Sequence, residues 1–402
     1  MILWLAPMDG ITDCPYRLIV QDIFARYKRP EDHLFTWTEF MSADGYMINP
    51  SRLVKHLITT STEPHLIAQI YGGNRDTLIT TAIDIEQKYP SFAGIELNIW
   101  CPSPKVMSCG WWAYMMKHKQ ETLKTIRAIS QSIPSLPFSI KTRSGLNAQD
   151  TSDQFDFLVA ASEYCHTITV HGRTFTQWHG WTVDRDYIYR LREAMNPHCV
   201  LIGNGGITSY ADALERYWNA RLPDEKSTTF GIMIGQAAIG NPWIFTPHTP
   251  SNEERLQTSL DHLYLMTAYE VYLDHTRTLF PEESDQLALN RKHLHMIKKY
   301  NPDSDERSDL PTLDRHEYLF PMPTRQLLDE YVAIIRHWID QHKSVLDFGD
   351  FDRDIRHLRT GIDIRKYLFN YIAGMANNKI IKQQVISTKD VSTLVSILQH
   401  SL

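Results

Sequence analysis

Eight short apolar runs, separated by segments long enough to form helices, occupy the first 245 residues of the chain. This alternation is typical of β/α units built around a parallel sheet. Eight units of this total length match a TIM (β/α)8 barrel, whereas a doubly wound sheet has fewer strands and an early glycine-rich dinucleotide fingerprint, which is missing here. The runs are Ile2–Ala6, Leu34–Thr38, Leu66–Tyr71, Ile95–Asn98, Phe138–Lys141, Thr167–Val170, Val200–Ile202 and Phe230–Ile234.

The chain of 402 residues is longer than one hydrophobic core usually fills, so a second and smaller domain is expected. A polar stretch marked by prolines predicts a linker at residues 246–256, and amphipathic patterns predict a helical domain at residues 257–402. The expected fold class is therefore α/β, with a TIM barrel at residues 1–245 followed by a smaller all-α domain.

Charge and cysteine content exclude several classes of protein. The formal net charge of −6 argues against indiscriminate binding to nucleic acid, although it allows a local basic face. The five cysteines are few and widely spaced, as in a reducing cytosol, and no Cys/His spacing resembles a zinc site. The apolar run at Met1–Pro7 is too short for a signal peptide or a membrane span. We expect a cytoplasmic monomer without a metal ion.

A polar or backbone-exposing residue ends nearly every apolar run. The carboxyl ends of barrel strands meet on one face, where active sites of this fold lie, so the series predicts a site there. Polar residues often end strands for other reasons, and the prediction therefore depends on the series rather than on one position. In chain order the residues are Pro7, Met8, Glu39, Gln69, Asn98, Lys141, His171, Asn204, Gly205, Gly206 and Gly235.

The fourth run leads into a corner in which prolines on either side of Ser103 stiffen the backbone after Cys101. A free cysteine is most often an inert buried hydrophobe. Here, however, Asn98 closes the strand, the cysteine follows three residues later and a proline comes next. This segment resembles the Asn-x-x-Cys-Pro-x-x-x-Val motif of the tRNA-dihydrouridine synthases, flavoenzymes that reduce the C5=C6 bond of uridine in tRNA.

Other segments resemble motifs of the same family and occur in the same order. They are the Ala-Pro-Met opening within Leu5–Asp13, the Thr-Glu of Thr36–Phe40, the Gln-x-x-Gly of Ala68–Gly72, the Lys-x-Arg of Ser139–Arg143 and the His-Gly-Arg-Thr of Thr169–Thr174. The loop after Cys101 departs from the family, because Trp111 and Trp112 stand where glycines are expected. These indoles either stack on an RNA base or fill a gap against the helical domain, and packing is the favoured interpretation.

The resemblance implies that FMN binds at the mouth of the barrel. Pro7 and Met8 would lie against the ring, and the amide of Gln69 would bind its polar edge. Lys141 would place a cation beside the N1–C2 edge, where negative charge collects when the ring is reduced. His171 would also contact the flavin, and Asn98 is expected among the cofactor-binding residues.

The resemblance also implies that the FMN phosphate binds to glycine turns after the seventh and eighth runs. Asn204, Gly205, Gly206 and Gly235 belong to these turns, in which backbone N–H groups can close on an anion. Where the family carries arginine after the last of these glycines, this sequence has Gln236. One charged partner of the phosphate is therefore missing, while the backbone donors remain.

Contacts with tRNA are expected at five charged residues. Glu39 either steers the base or caps a loop, Arg143 faces the nucleotide phosphate or the uracil, and Arg173 faces the RNA backbone. Arg365 and Lys366 belong to a basic cluster that resembles the tRNA-binding helices of the family. Basic faces of helices are often only solvated. Here they occur together with the barrel motifs and on one domain of an acidic protein, and this combination favours contacts with RNA phosphates.

The resemblance implies a tRNA-dihydrouridine synthase reaction in which NADPH or NADH reduces FMN. Hydride then passes from N5 of the flavin to C6 of a uridine flipped out of the tRNA, and Cys101 protonates C5. A thiol with an ordinary pKa of about 8.5 is mostly protonated at neutral pH and can still give up its proton. Two alternatives stay open: a flavin-barrel oxidoreductase acting on a free pyrimidine, and a non-catalytic tRNA-binding protein with a weakened flavin site.

Overall fold

The structure is a computed structural model that describes residues 1–48, 53–59, 63–99, 115–177, 180–219, 230–277, 360–375 and 377–401. Its strands β1–β9 are Ile2–Leu5, His33–Trp37, Met41–Ser42, Leu66–Tyr71, Gly94–Asn98, Phe138–Arg143, Thr167–His171, Val200–Asn204 and Phe230–Ile234. All pairings are parallel and follow the order β2-β1-β9-β8-β7-β6-β5-β4-β3, with β2 also pairing with β4. Eight strands therefore close a barrel, which confirms the predicted fold, and the two-residue β3 adds to its rim.

The helices of the described residues surround the barrel and continue beyond it. Helices α1–α12 are Cys14–Tyr27, Ala43–Ile48, Arg75–Lys88, Lys119–Ser132, Thr151–Ala161, Arg185–Ala194, Tyr210–Asn219, Asn252–Arg277, Thr360–Asp363, Arg365–Tyr371, Asn378–Ser387 and Val391–Gln399. Short 3-10 helices lie at Val54–Leu57, Ala148–Asp150, Gln236–Ala238 and Pro242–Phe245. In the part of the chain that the structure describes, no helix is both long enough and apolar enough to cross a membrane.

Polar residues in the loops start several of the barrel helices. The carboxylate of Asp13 accepts a hydrogen bond from the backbone N–H of Tyr16, and a proline stands in the first turn of α1. Asn74 caps α3 in the same way, and Asp184 caps α6. Because such side chains satisfy N–H groups that a helix end leaves unpaired, the loops fix where each helix begins.

Aromatic side chains of β1 and β2 pack together inside the barrel. The ring of Trp4 stacks on Phe35 with 4.5 Å between centroids and lies 4.7 Å from the ring of Trp37. A Cβ atom at Gly231 would lie 2.4 Å from Nε1 of Trp4, so only glycine leaves room for the indole there. The interior is therefore filled by side chains, as is usual for this fold, in which ligands bind at the carboxyl ends of the strands.

Of the helical domain predicted at residues 257–402, the structure describes residues 257–277, 360–375 and 377–401. Helix α8 begins at Asn252, so residues 252–256 of the expected linker are helical. The hydroxyl of Ser251 accepts a hydrogen bond of 3.1 Å from the N–H of Glu254, which explains this early start. Helix α8 packs on α1, and α10 packs on α8.

Candidate active site

Strand register brings the predicted residues of four neighbouring strands together. Asn98 on β5 is paired with Lys141 on β6, Arg143 is paired with His171 on β7, and His171 is paired with Asn204 on β8. Asn98, His171 and Asn204 are each only 8% exposed. The register therefore places an amide, two cations and an imidazole on neighbouring strands near their carboxyl ends.

A buried hydrogen-bond network joins Gln69 to its neighbours in the barrel. Its Nε2 donates to Oε1 of Glu96 at 2.6 Å, and its Oε1 accepts from Nδ2 of Asn98 at 3.1 Å. The hydroxyl of Thr169 donates to the other oxygen of Glu96 at 3.3 Å. An amide can donate two hydrogen bonds and accept two, and within the described part of the chain the fully buried side chain of Gln69 makes one of each with Glu96 and Asn98.

Sequence reasoning missed Glu96. The signal was present, because a carboxylate in the middle of a fully buried strand needs partners. Burial raises the pKa of Glu96 to about 7, even though the positive charge of Lys141 and the hydrogen bond from Gln69 lower it. The carboxyl group therefore titrates near neutral pH beneath the predicted flavin site.

The loop after β1 folds back on Met8. The carbonyl of Met8 accepts hydrogen bonds of 3.0 Å from the N–H groups of Ile11 and Thr12, and its own N–H donates to the Thr12 hydroxyl at 2.9 Å. Gly10 has a φ of +67°, a conformation that favours glycine. The loop therefore has a defined shape.

Glu39 supports this loop from the end of β2. Its Oε1 accepts a hydrogen bond of 2.5 Å from the N–H of Gly10, and its Oε2 lies 3.4 Å from Nδ1 of His56. Burial alone would raise the pKa of Glu39, but the hydrogen bonding and charge of His56 and the N–H of Gly10 outweigh it and lower that pKa to about 2. The sequence left two roles open for Glu39, steering the base and capping a loop. The hydrogen bond from Gly10 favours the second.

The turn after β8 has the geometry of an anion site. Gly205 and Gly206 have φ values of +110° and +66°. Nη1 and Nη2 of Arg216 donate to their carbonyl oxygens at 2.7 and 2.6 Å. Because C=O and N–H point in opposite directions across a trans peptide, the N–H groups of Gly206 and Ile207 point away from Arg216, as in an anion-binding turn.

The turn after β9 lies close to the loop after β1, residues 8–12, which we call the Met8 loop. A Cβ atom at Gly235 would lie 3.5 Å from Cβ of Ala6 and 3.8 Å from Sδ of Met8. Gln236 follows directly and begins a 3-10 helix. The residues predicted to contact the ring and those predicted to bind the phosphate are therefore neighbours at the same end of the barrel.

The two arginines predicted to contact RNA hold the segment after β7. Nη1 of Arg143 donates to the carbonyl of Thr174 at 2.8 Å, and Nε of Arg173 donates to the carbonyl of Trp181 at 2.6 Å. Nη1 of Arg173 also lies 3.4 Å from Nε2 of His171. Burial and the nearby charge of Arg216 lower the pKa of Arg173. Both guanidinium groups thus contact backbone carbonyls beside the predicted site.

The two basic residues of α10 also contact backbone carbonyls. Arg365 donates to the carbonyl of Thr388, and Lys366 donates to the carbonyl of Gly10 in the loop after β1. The sequence predicted RNA contacts for both side chains, and it gave no indication that Lys366 meets the barrel.

Cys101, Trp111 and Trp112 lie outside the described residues, so their predicted roles stay predictions. The described part contains three cysteines, all buried and outside any disulfide: Cys14, Cys165 and Cys199. Burial raises the pKa of Cys199 to about 12, which keeps that thiol protonated and unreactive. In the same part of the chain, no cluster of His, Cys, Asp and Glu side chains is suited to hold a metal ion.

The groups at the carboxyl ends of the strands fit a flavin mononucleotide. Buried amides from Gln69 and Asn98 suit the polar edge of the ring, and Lys141 suits the charge of its reduced form. The positive φ values of Gly205 and Gly206 form the kind of backbone cradle that binds a phosphate.

Comparison with known proteins gives a family match and relatives that agree with each other. The sequence model of one family, Dihydrouridine synthase (Dus), matches residues 4–313. A protein of Rickettsia conorii named probable tRNA-dihydrouridine synthase is 29% identical over 309 residues, which cover 75% of this chain and 86% of the relative. A Helicobacter pylori protein of the same name is 25% identical over 300 residues, which cover 74% of this chain and 83% of that protein. The family match extends from within β1 to well past β9.

Proposed function

The chain belongs to the dihydrouridine synthase family, and from this premise we propose that it reduces the C5=C6 bond of specific uridines in tRNA, with FMN as cofactor and NADPH or NADH as reductant. The observation that carries the proposal is the pairing of Asn98 with Lys141, beside the pairing of His171 with Asn204, at the carboxyl ends of the barrel strands. Active sites of this fold lie at these ends. Buried polar groups are costly unless they have partners, and a polar ligand supplies further partners.

Each residue of the site has a distinct task in this proposal. The N–H groups of the Gly205–Gly206 turn bind the phosphate of the cofactor, and Gln69 and Asn98 orient the polar edge of the ring. When bound, FMN supplies the hydride that adds to C6 of the uracil. Lys141, which is paired with Asn98 in the strand register, would stabilise the negative charge of the reduced cofactor.

The proton for C5 comes from Cys101 in the proposed reaction. A thiol is mostly protonated at neutral pH, so it can act as a general acid without a shifted pKa. The buried thiols of Cys165 and Cys199 are unsuited to this role, because they precede β7 and β8 and so lie at the opposite end of the barrel. The uridine reaches the acid only when it is flipped out of the RNA stack.

The decisive experiment compares Cys101→Ala with Cys199→Ala. We expect Cys101→Ala to bind FMN, to be bleached by NADPH and yet to form less than about 1% of the dihydrouridine formed by the unaltered protein, because general acid catalysis contributes roughly a hundredfold or more. Cys199→Ala should lower only thermal stability. Dihydrouridine is measured by mass spectrometry of tRNA, and the flavin is followed by its absorbance.

The same assay separates the alternatives. Near-normal dihydrouridine formation by Cys101→Ala would remove the acid role from this residue. Reduction of free uracil or orotate as fast as tRNA would point to a flavin barrel acting on a free pyrimidine. Failure of the purified protein to take up FMN, together with retained binding of tRNA, would point to a non-catalytic RNA-binding protein.

A further inference from the structure

Three consecutive carbonyl groups of the loop after β1 are bound by charged or hydroxyl side chains. The carbonyl of Gly10 accepts from Nζ of Lys366, and the carbonyl of Ile11 accepts from the hydroxyl of Tyr367 at 2.6 Å. The carbonyl of Thr12 accepts from Nη1 of Arg17 at 3.0 Å. Two of the three donors therefore come from α10, more than 350 residues further along the chain.

The same loop is held from its other side by the barrel. The N–H of Gly10 donates to Glu39 at the end of β2. The peptide groups on either side of Gly10 are thus fixed by an anion from the barrel and a cation from α10. The folded loop places Sδ of Met8 beside Gly235, so any shift of Gly10 is passed on to the predicted ring contact.

Helix α10 is itself anchored firmly enough to position the loop. Tyr367 is fully buried, and its ring lies 4.8 Å from that of Tyr16 and 4.4 Å from that of His262. Nδ2 of Asn370 donates to the carbonyl of Ile239 at 2.7 Å, just after the turn that contains Gly235. One helix therefore touches both loops that flank the mouth of the barrel.

We propose that Lys366 and Tyr367 are positioning residues that shape the flavin site through the Met8 loop, rather than residues that bind tRNA phosphate. The Lys366 ammonium faces a carbonyl inside the protein and interacts with the carboxylate of Asp13, so its charge is used within the fold. This inference rests on the proposed function for the identity of the ligand. The C-terminal helices then complete the catalytic site in addition to any role in RNA binding.

The experiment uses four variants of the full chain. Lys366→Met keeps the aliphatic stem and removes the charge, Tyr367→Phe keeps the ring and removes the hydroxyl, and Lys366→Arg restores a donor. Lys379→Met removes an exposed lysine of α11 and serves as the matched control. Three quantities are measured: hydrogen exchange of the backbone amides of residues 8–12, FMN affinity by fluorescence titration, and tRNA affinity as a function of KCl concentration.

We expect Lys366→Met and Tyr367→Phe to speed exchange in residues 8–12 and to weaken FMN binding about tenfold, because each variant loses one part-buried hydrogen bond to the loop. Their tRNA affinity and its salt dependence should match those of Lys379→Met. Lys366→Arg should recover most of the FMN affinity.

A phosphate contact would behave differently. Loss of one lysine–phosphate contact lowers the slope of log K against log salt by about 0.7 to 0.9. That result for Lys366→Met, with unchanged exchange in residues 8–12, would overturn the inference, and so would unchanged values in all three measurements. The exchange measurement needs neither cofactor nor RNA, so it stands even if the proposed reaction is wrong.

Discussion

Nε2 of Gln69 donates a hydrogen bond of 2.6 Å to Oε1 of Glu96 inside the closed barrel. Because the carboxylate accepts from the amide N–H, it sets the direction in which Gln69 points, and the amide oxygen is left facing Asn98. A carboxyl group that sequence reasoning missed thus positions two residues of the candidate site.

Glu96→Gln should remove a pH dependence from the stability of the protein. Burial raises the pKa of Glu96 to about 7, above its ordinary value near 4.5, so the folded chain binds more protons than the unfolded chain between these limits. The free energy of unfolding should therefore fall as pH rises from 4.5 to 7, by at most about 3 kcal/mol. Urea unfolding at several pH values measures this change. The same pH profile for Glu96→Gln and the unaltered protein would contradict it.

Gly205→Ala should weaken the cofactor site. The added Cβ would lie 3.0 Å from Nε2 of His171, and the φ of +110° is one that alanine rarely adopts. The strain of about 1–3 kcal/mol should move the turn and weaken FMN binding roughly tenfold or more, as measured by fluorescence titration. Gly180→Ala is the control, because a Cβ placed there meets no atom of the described residues within 4 Å apart from its chain neighbours.

Gly240→Ala should loosen the attachment of α10 to the barrel. A Cβ at this position would lie 2.3 Å from the carbonyl oxygen of Tyr367, and the φ of Gly240 is +61°. Backbone atoms cannot move aside as a flexible side chain can, so we expect a loss of about 2–4 kcal/mol in the free energy of unfolding. Hydrogen exchange should also rise in residues 360–375. Unchanged exchange there would show that the helix is held by other contacts.

Gln236→Arg should strengthen FMN binding. The family carries arginine at this position, and a charged hydrogen bond to the phosphate is worth about 1.5 kcal/mol or more, which corresponds to roughly tenfold in affinity. The gain should shrink at high salt. Gln383→Arg, an exposed change on α11, controls for added charge. Equal FMN affinities for the two variants would mean that Gln236 does not face the phosphate.

The barrel was predictable because each of its eight strands is a short apolar run, and both ends of every predicted run lie within two residues of the ends of the observed strand. The two-residue β3 at the rim was not predicted. The early start of α8 was also visible, since Ser251 and Glu254 have the spacing of a capping box. The contact of Lys366 with Gly10 was not predictable. Its acceptor is a backbone carbonyl, which every residue carries, so no side-chain pattern marks the partner.

The indoles of Trp4 and Trp37 lie against each other inside the barrel, so the lumen is no open pore, and this has a kinetic consequence for the proposed enzyme. Reductant and polynucleotide would have to use a single entrance. In the proposed reaction the oxidised nicotinamide would then leave before the RNA enters. Steady-state rates measured against both substrates should then give parallel double-reciprocal lines.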